Sequence, residues 1–100
     1  GGEQQMVVLA RAFASKPRFL LIDEMSLGLA PVVFMRILPV IQGIAESGVG
    51  VLLVEQFTHL ALGIADEAMV VSSGRVSHPQ GPAAALEQNP ELLRTAYLGA

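Results

Sequence analysis

The sequence predicts an α/β fold in which a mostly parallel sheet is flanked by helices. Residues 19–22 are apolar without alternation, which is typical of a parallel strand covered on both faces, and residues 49–55 are predicted to form a second buried strand. The segments around them carry apolar residues at helical spacing. Strands that alternate with helices indicate a layered α/β architecture, and a chain of 100 residues is long enough for one small domain.

Apolar spacing, glycines and prolines delimit the elements. The predicted helices cover residues 3–14, 31–46, 58–65, 83–88 and 91–97. The predicted strands cover residues 19–22, 49–55, 68–71 and 75–77. Pro39 is expected to kink or break the second helix. Ser73-Gly74 predicts a tight turn, and Pro79, Gly81 and Pro82 predict a break after the last strand.

Composition excludes several classes of function. The net charge is -3 with no run of like charges, so no nucleic-acid partner is expected, because phosphate binding needs a basic face. The chain has no Cys and therefore no disulfide. No apolar run approaches the roughly 18 residues that a membrane-spanning helix needs.

Asp23 and Glu24 directly follow the first apolar strand. Ligands of open parallel sheets bind at the carboxyl ends of the strands. One carboxylate there can hold Mg²⁺ through its oxygens, and the other can accept a proton from an attacking water. The alternative is that the pair is only the polar start of a loop.

Gly1 and Gly2 precede the first predicted helix. A glycine pair at a helix N-terminus exposes backbone N–H groups, which attract phosphate together with the helix dipole. An ordinary helix entry is the alternative, and it would be preferred for a glycine pair alone. A second phosphate-related element in the same short chain favours the binding interpretation.

Together these residues resemble an ATP-binding cassette (ABC) ATPase. Gly1-Gly2-Glu3-Gln4-Gln5 is similar to the end of the family's LSGGQ signature motif, and residues 19–24 are similar to its Walker B strand. Three further segments resemble the ATP-binding subunits of branched-chain amino acid importers. They are Ser26-Leu27-Gly28-Leu29-Ala30-Pro31, Leu53-Val54-Glu55-Gln56 and Ala96-Tyr97-Leu98-Gly99.

The resemblance implies a role for each matching position, with ATP and Mg²⁺ as cofactors. Asp23 would bind Mg²⁺, and Glu24 would be the catalytic base. Gln56 would be the switch residue at the γ-phosphate, where most ABC ATPases have His. Gly1, Gly2, Glu3 and Gln4 of the signature motif would bind ATP held by a second subunit, and Ser26 would lie near that partner's site. Met25, in contrast, replaces a Pro of the family.

The resemblance also implies a context. The partners would be a second ATP-binding subunit arranged head to tail, transmembrane permease subunits and, indirectly, a periplasmic binding protein. The location would be the cytoplasmic face of the inner membrane. The 100 residues contain no G-x-x-x-x-G-K-[ST] phosphate loop and no Gln loop. We therefore expect residues 1–100 to be the C-terminal portion of one nucleotide-binding domain, inactive by itself in ATP hydrolysis and unstable alone.

Two other functions stay open at this point. One is an ABC-type ATPase of DNA maintenance, which shares both motifs, although Gly74-Arg75-Val76 favours the transporter pattern. The other is a non-catalytic interaction module derived from a cassette. Two further residues are not assigned to the site: Glu55 is interpreted as a polar residue at a strand edge without a role, and His59 as a surface or capping residue.

Overall fold

A computed structural model of the chain describes residues 1–97, so Leu98 and Gly99 of the closing motif lie outside the described residues. The chain divides into two compact units, an N-terminal unit of Gly1–Ala61 and a C-terminal unit that begins at Leu62. No helix within residues 1–97 is long and apolar enough to cross a membrane.

The N-terminal unit contains two long helices, two strands and most of a short helix. Its elements are α1 (Glu3–Ala14), β1 (Phe19–Asp23), α2 (Pro31–Glu46), β2 (Gly50–Val54) and the start of α3 (Thr58–Leu62). β1 and β2 pair in parallel, as predicted. α3 ends three residues earlier than the predicted helix, at Leu62 rather than residue 65.

The core of the N-terminal unit lies along one face of α2. This helix buries apolar residues at helical spacing, namely Phe34, Ile37, Leu38, Ile41 and Ile44. The ring of Phe34 also meets Phe57 edge to face, with centroids 5.8 Å apart. Burial of this stripe fixes α2, and thereby the loop that precedes it.

α2 passes through Pro39 without a break, although a kink or a break was expected there. Proline removes the hydrogen bond to the carbonyl four residues earlier, that of Met35. Both residues are exposed, so water can satisfy that carbonyl. The buried stripe on the opposite face keeps the helix together across this position.

The strands of the N-terminal unit are buried on one face only, which corrects the expectation of two covered faces. In β1, Leu20 and Ile22 are half-buried and buried, whereas Phe19 and Leu21 are 73% and 74% exposed. Leu52 pairs with Leu21 and is exposed on the same face.

The C-terminal unit is an antiparallel hairpin covered by two short helices. β3 (Glu67–Ser72) pairs with β4 (Arg75–Pro82), and α4 (Ala83–Glu87) and α5 (Pro90–Tyr97) follow. Its core is a single apolar cluster formed by Leu62, Val70, Ala83, Leu86 and Leu93. Ser73 and Gly74 both have positive φ, 52° and 75°, as a type I′ turn requires. The predicted tight turn is confirmed.

β4 runs to Pro82, so the predicted break after residue 77 is wrong. Gly81 pairs with Ala68 and Pro82 with Glu67, with shifts of register between Ala68 and Val71. Proline is tolerated in a strand that lies at an edge or bears a bulge, because no ladder N–H is needed there. β4 meets both conditions within the described residues, since its sheet has two strands and an irregular register.

The α/β class is confirmed. The described strands form one parallel and one antiparallel pair, in two separate sheets, rather than one mostly parallel sheet.

Candidate functional site

The carboxyl ends of β1 and β2 meet at one edge of the parallel sheet. Asp23, the last residue of β1, is in register with Val54, the last residue of β2. The polar residues that follow each strand therefore leave the sheet side by side, where ligands of parallel sheets bind. We call Asp23, Glu24, Ser26, Glu55 and Gln56 the strand-end cluster.

Glu24 turns the chain sharply at this edge. Its N–H donates to the Val54 carbonyl at 2.9 Å, which extends the β1–β2 ladder by one bond. Its φ is +49°, a left-handed conformation that is uncommon outside glycine. The Glu24 carbonyl then accepts from Leu27 N–H at 3.1 Å. The side chains of Asp23 and Glu24 are both exposed, so both carboxylates are accessible.

Ser26 is buried, at 7% exposure, in the turn that follows. Its hydroxyl donates to Glu55 Oε1, and its N–H donates to Glu55 Oε2 at 3.3 Å. Glu55 is half-buried and directly follows β2. One carboxylate thus ties the loop after β1 to the loop after β2.

Gln56 is exposed beside Glu55. Its N–H donates to Glu55 Oε1 at 3.2 Å. Its carbonyl accepts from the N–H of Thr58 at 2.8 Å and from the Thr58 hydroxyl at 3.1 Å, at the start of α3. The backbone of Gln56 is therefore held on both sides while its amide side chain stays accessible.

Gly2 lies where α1 begins, in a conformation and a space that favour glycine. Its φ is +96°, and it is buried against α2. A Cβ at Gly2 would lie 2.9 Å from Val33 Cγ1, and one at Gly1 would lie 3.9 Å from the side chains of Leu29 and Val33. The glycine pair thus packs on the start of α2 and on the loop that leads into it.

Glu3 and Gln4 form the exposed first turn of α1. The pKa of Glu3 is lowered, chiefly because its carboxylate accepts a hydrogen bond from its own N–H. A negative charge in the first turn also interacts favourably with the helix dipole.

The structure thus places the predicted site residues in two groups of the N-terminal unit. Asp23, Glu24, Ser26 and Gln56 lie at the strand ends, whereas residues 1–4 lie at the start of α1. Glu55 was expected to be a polar residue at a strand edge without a role; the structure places it at that edge, with a carboxylate that accepts hydrogen bonds from Ser26 and Gln56. The argument already applied to Asp23, that polar residues at the ends of parallel strands meet, would have identified it. Among the described residues, no three acidic, His or Cys side chains form a group that could hold a metal.

Comparison with known proteins finds relatives along the whole chain, although no family model matches it. The high-affinity branched-chain amino acid transport ATP-binding protein BraG of Pseudomonas aeruginosa is 51% identical over 100 residues. The lipopolysaccharide export system ATP-binding protein LptB of Escherichia coli K12 is 33% identical over 99 residues. A probable ABC transporter ATP-binding protein of Azorhizobium caulinodans is 34% identical over 99 residues.

These alignments cover 99% of this chain but only part of each relative. The covered shares are 42% of BraG, 40% of LptB and 34% of the Azorhizobium protein. The chain thus spans less than half the length of the curated relatives that it matches. The resemblance drawn from the signature and Walker B motifs is nevertheless confirmed: along its whole length this chain is similar to ATP-binding proteins of ABC transporters.

Proposed function

We propose that this chain is the C-terminal portion of an ATP-binding subunit that hydrolyses ATP to energise an ABC importer. The observation that carries the proposal is the strand-end cluster: an exposed Asp-Glu pair and an exposed Gln lie at one edge of a parallel sheet. An ATPase of this class needs a metal ligand, a base and a γ-phosphate donor at such an edge. The similarity to BraG supports the same function.

Asp23 fits the role of a Mg²⁺ ligand. Protein sites for nucleotide-bound Mg²⁺ use one or two carboxylates, with water and phosphate oxygens supplying the other ligands. A single exposed carboxylate is therefore sufficient, and the absence of a three-acid group among the described residues is no objection. When bound, Mg²⁺ would neutralise charge on the phosphates.

Glu24 and Gln56 would act on the attacking water and on the γ-phosphate. Glu24 would accept the proton of the water, since its carboxylate is exposed and its backbone is fixed to Val54. Gln56 would donate a hydrogen bond from its neutral amide. Both are held through the backbone, so their side chains can be oriented without large loop movements.

The N-terminus of α1 would bind the γ-phosphate of ATP held by a second subunit. The left-handed Gly2 lets the chain enter α1 with its first N–H groups free of a side-chain cap. Ser26 would lie near the same interface. The further partners would be permease subunits, which would place the protein at the cytoplasmic face of the membrane, with a periplasmic binding protein acting indirectly.

A branched-chain amino acid is the transported solute that we propose. BraG is named for that class and is 51% identical, whereas LptB is named for lipopolysaccharide export and is 33% identical. All the relatives described above are named for transport, so an ATPase of DNA maintenance is not favoured.

The proposal is tested by Glu24→Gln in the complete subunit. The variant keeps the shape of the side chain but cannot accept the proton. Steady-state hydrolysis should therefore fall by roughly 10²–10⁴-fold while ATP binding is retained. Glu46→Gln, an exposed site at the end of α2, is the matched control and should hydrolyse ATP normally. Wild-type turnover in Glu24→Gln would remove Glu24 from its role.

A complete subunit that binds but does not hydrolyse ATP would instead favour a non-catalytic interaction module. Residues 1–100 alone should not hydrolyse ATP, because they contain no phosphate loop. Turnover by the purified 100-residue chain would contradict that part of the proposal.

A further inference from the structure

We infer that Glu55 is a positioning residue for the reaction proposed above, one that couples the loop carrying Glu24 and Ser26 to Gln56. The inference rests on the proposed function and goes beyond it, because Glu55 itself would touch neither nucleotide nor water. It rests on three hydrogen bonds that converge on one carboxylate.

The three donors come from the loops that follow two different strands. Ser26 supplies its hydroxyl and its N–H from the loop after β1, and Gln56 supplies its N–H from the chain after β2. Ser26 and Glu55 are 29 positions apart in sequence. The carboxylate thus adds a side-chain connection between the two loops to the β1–β2 ladder and the Glu24–Val54 bond.

An ionised carboxylate is suited to this contact because it only accepts hydrogen bonds. Its two oxygens offer about four acceptor positions for the three donors, and bonds to a charged acceptor are stronger than neutral ones. A glutamine at position 55 has nearly the same shape, but one oxygen is replaced by an NH₂ group. That group would face either a Ser26 donor or the Gln56 N–H, so at least one bond would be lost.

The consequence for the reaction is one of orientation. The Gln56 N–H is anchored to Glu55, so the direction in which the Gln56 side chain leaves the sheet depends on where Ser26 holds that carboxylate. Misplacement of a reacting group by about 1 Å can cost roughly 10²-fold in rate. Loss of the contact should therefore lower kcat by about 10- to 100-fold and leave KM for ATP nearly unchanged.

The first test is structural and does not depend on activity. In ¹⁵N-labelled complete subunit, Glu55→Gln should shift the amide resonances of both Ser26 and Gln56. Glu46→Gln is the matched control, since it makes the same chemical change at an exposed helix end. Shifts at Ser26 and Gln56 no larger than those in the control would overturn the coupling, whether or not the protein hydrolyses ATP.

The second test is a double-mutant cycle in the kinetics of the same subunit. Ser26→Ala removes the hydroxyl donor, and Glu55→Gln weakens the acceptor. If both act through one contact, the double variant should be no more than about 3-fold slower than the slower single variant. Independent, multiplying losses would contradict the coupling, as would unchanged kcat in Glu55→Gln.

A urea midpoint measured on each variant separates positioning from general destabilisation. Reduced kcat with an unchanged midpoint supports positioning, whereas a loss of kcat that tracks a lowered midpoint overturns it. Ser26→Ala provides the same comparison if Glu55→Gln fails to fold. A wild-type subunit without any hydrolysis would reject the proposed function and the kinetic role of Glu55 together, while the resonance test would still decide the contact.

Discussion

Gly2→Ala should destabilise the complete subunit more than any other Gly→Ala change considered below, because two independent costs act at this position. The first is backbone strain: φ is +96°, and a side chain in the left-handed region costs about 1–2 kcal/mol. The second is steric. The new Cβ would lie 2.9 Å from Val33 Cγ1, a distance that forces a shift in the packed start of α2, at about 1–3 kcal/mol. The combined loss in free energy of unfolding should be about 2–5 kcal/mol.

Two other glycines isolate these contributions. Gly28 has φ +81° with nothing within 4 Å of a built Cβ, so Gly28→Ala should show the strain alone, about 1–2 kcal/mol. Gly43 lies inside α2 with open space around it, so Gly43→Ala should raise the free energy of unfolding by about 0.5–1 kcal/mol. Adding Val33→Ala to Gly2→Ala should restore part of the steric loss.

Urea unfolding followed by circular dichroism measures the whole series. The expected order of stability is Gly43→Ala, wild type, Gly28→Ala and then Gly2→Ala. Equal losses for Gly2→Ala and Gly28→Ala would refute the steric argument. A stable Gly2→Ala variant would refute the left-handed entry into α1 as well.

Two further predictions concern the strand-end cluster. Gln56→Ala should lower turnover without changing its pH dependence near 6.5, since a neutral amide, unlike His, does not titrate there. The pH–rate profiles of the variant and the wild type check this. Unchanged turnover would count against the γ-phosphate contact. Glu24→Gly should abolish turnover yet stabilise the subunit by about 0.5–1 kcal/mol, because relief of left-handed strain exceeds the added flexibility of the unfolded chain. Ser73→Gly, at φ +52° in the β3–β4 turn, is the control for Glu24→Gly; it should stabilise the subunit by a similar amount and leave its activity unchanged. Loss of stability in both glycine variants would contradict the strain argument.

Local pattern predicted the order of elements, because helical spacing and apolar runs depend on residues close in sequence. The limits of α1 and of α2 agree with the structure for this reason. Pro39 and the end of β4 were harder to predict. A proline breaks a helix or strand less readily where the backbone group that it leaves unbonded faces solvent or lies at a sheet edge. Tertiary packing decides which positions these are.

The sequence indicates candidate site residues by their type, but not the contacts between them. Asp23 and Glu24 stand out because two carboxylates end an apolar strand. Glu55 did not, since its role depends on Ser26, 29 positions earlier in the chain. Only the parallel register of β1 and β2 brings the two together.

The conformation of Glu24 connects the fold with the proposed chemistry. A non-glycine residue with positive φ is retained at a cost of about 1 kcal/mol or more, although glycine would avoid the strain. Side chains alternate along a strand, so a regular continuation of β1 would direct Glu24 to the face opposite that of Asp23. The left-handed turn ends that alternation while the N–H stays bonded to Val54. Backbone strain is expected at positions where the direction of a side chain matters more than stability. Glu24 is such a position, because its exposed carboxylate lies at a strand end beside an anchored loop.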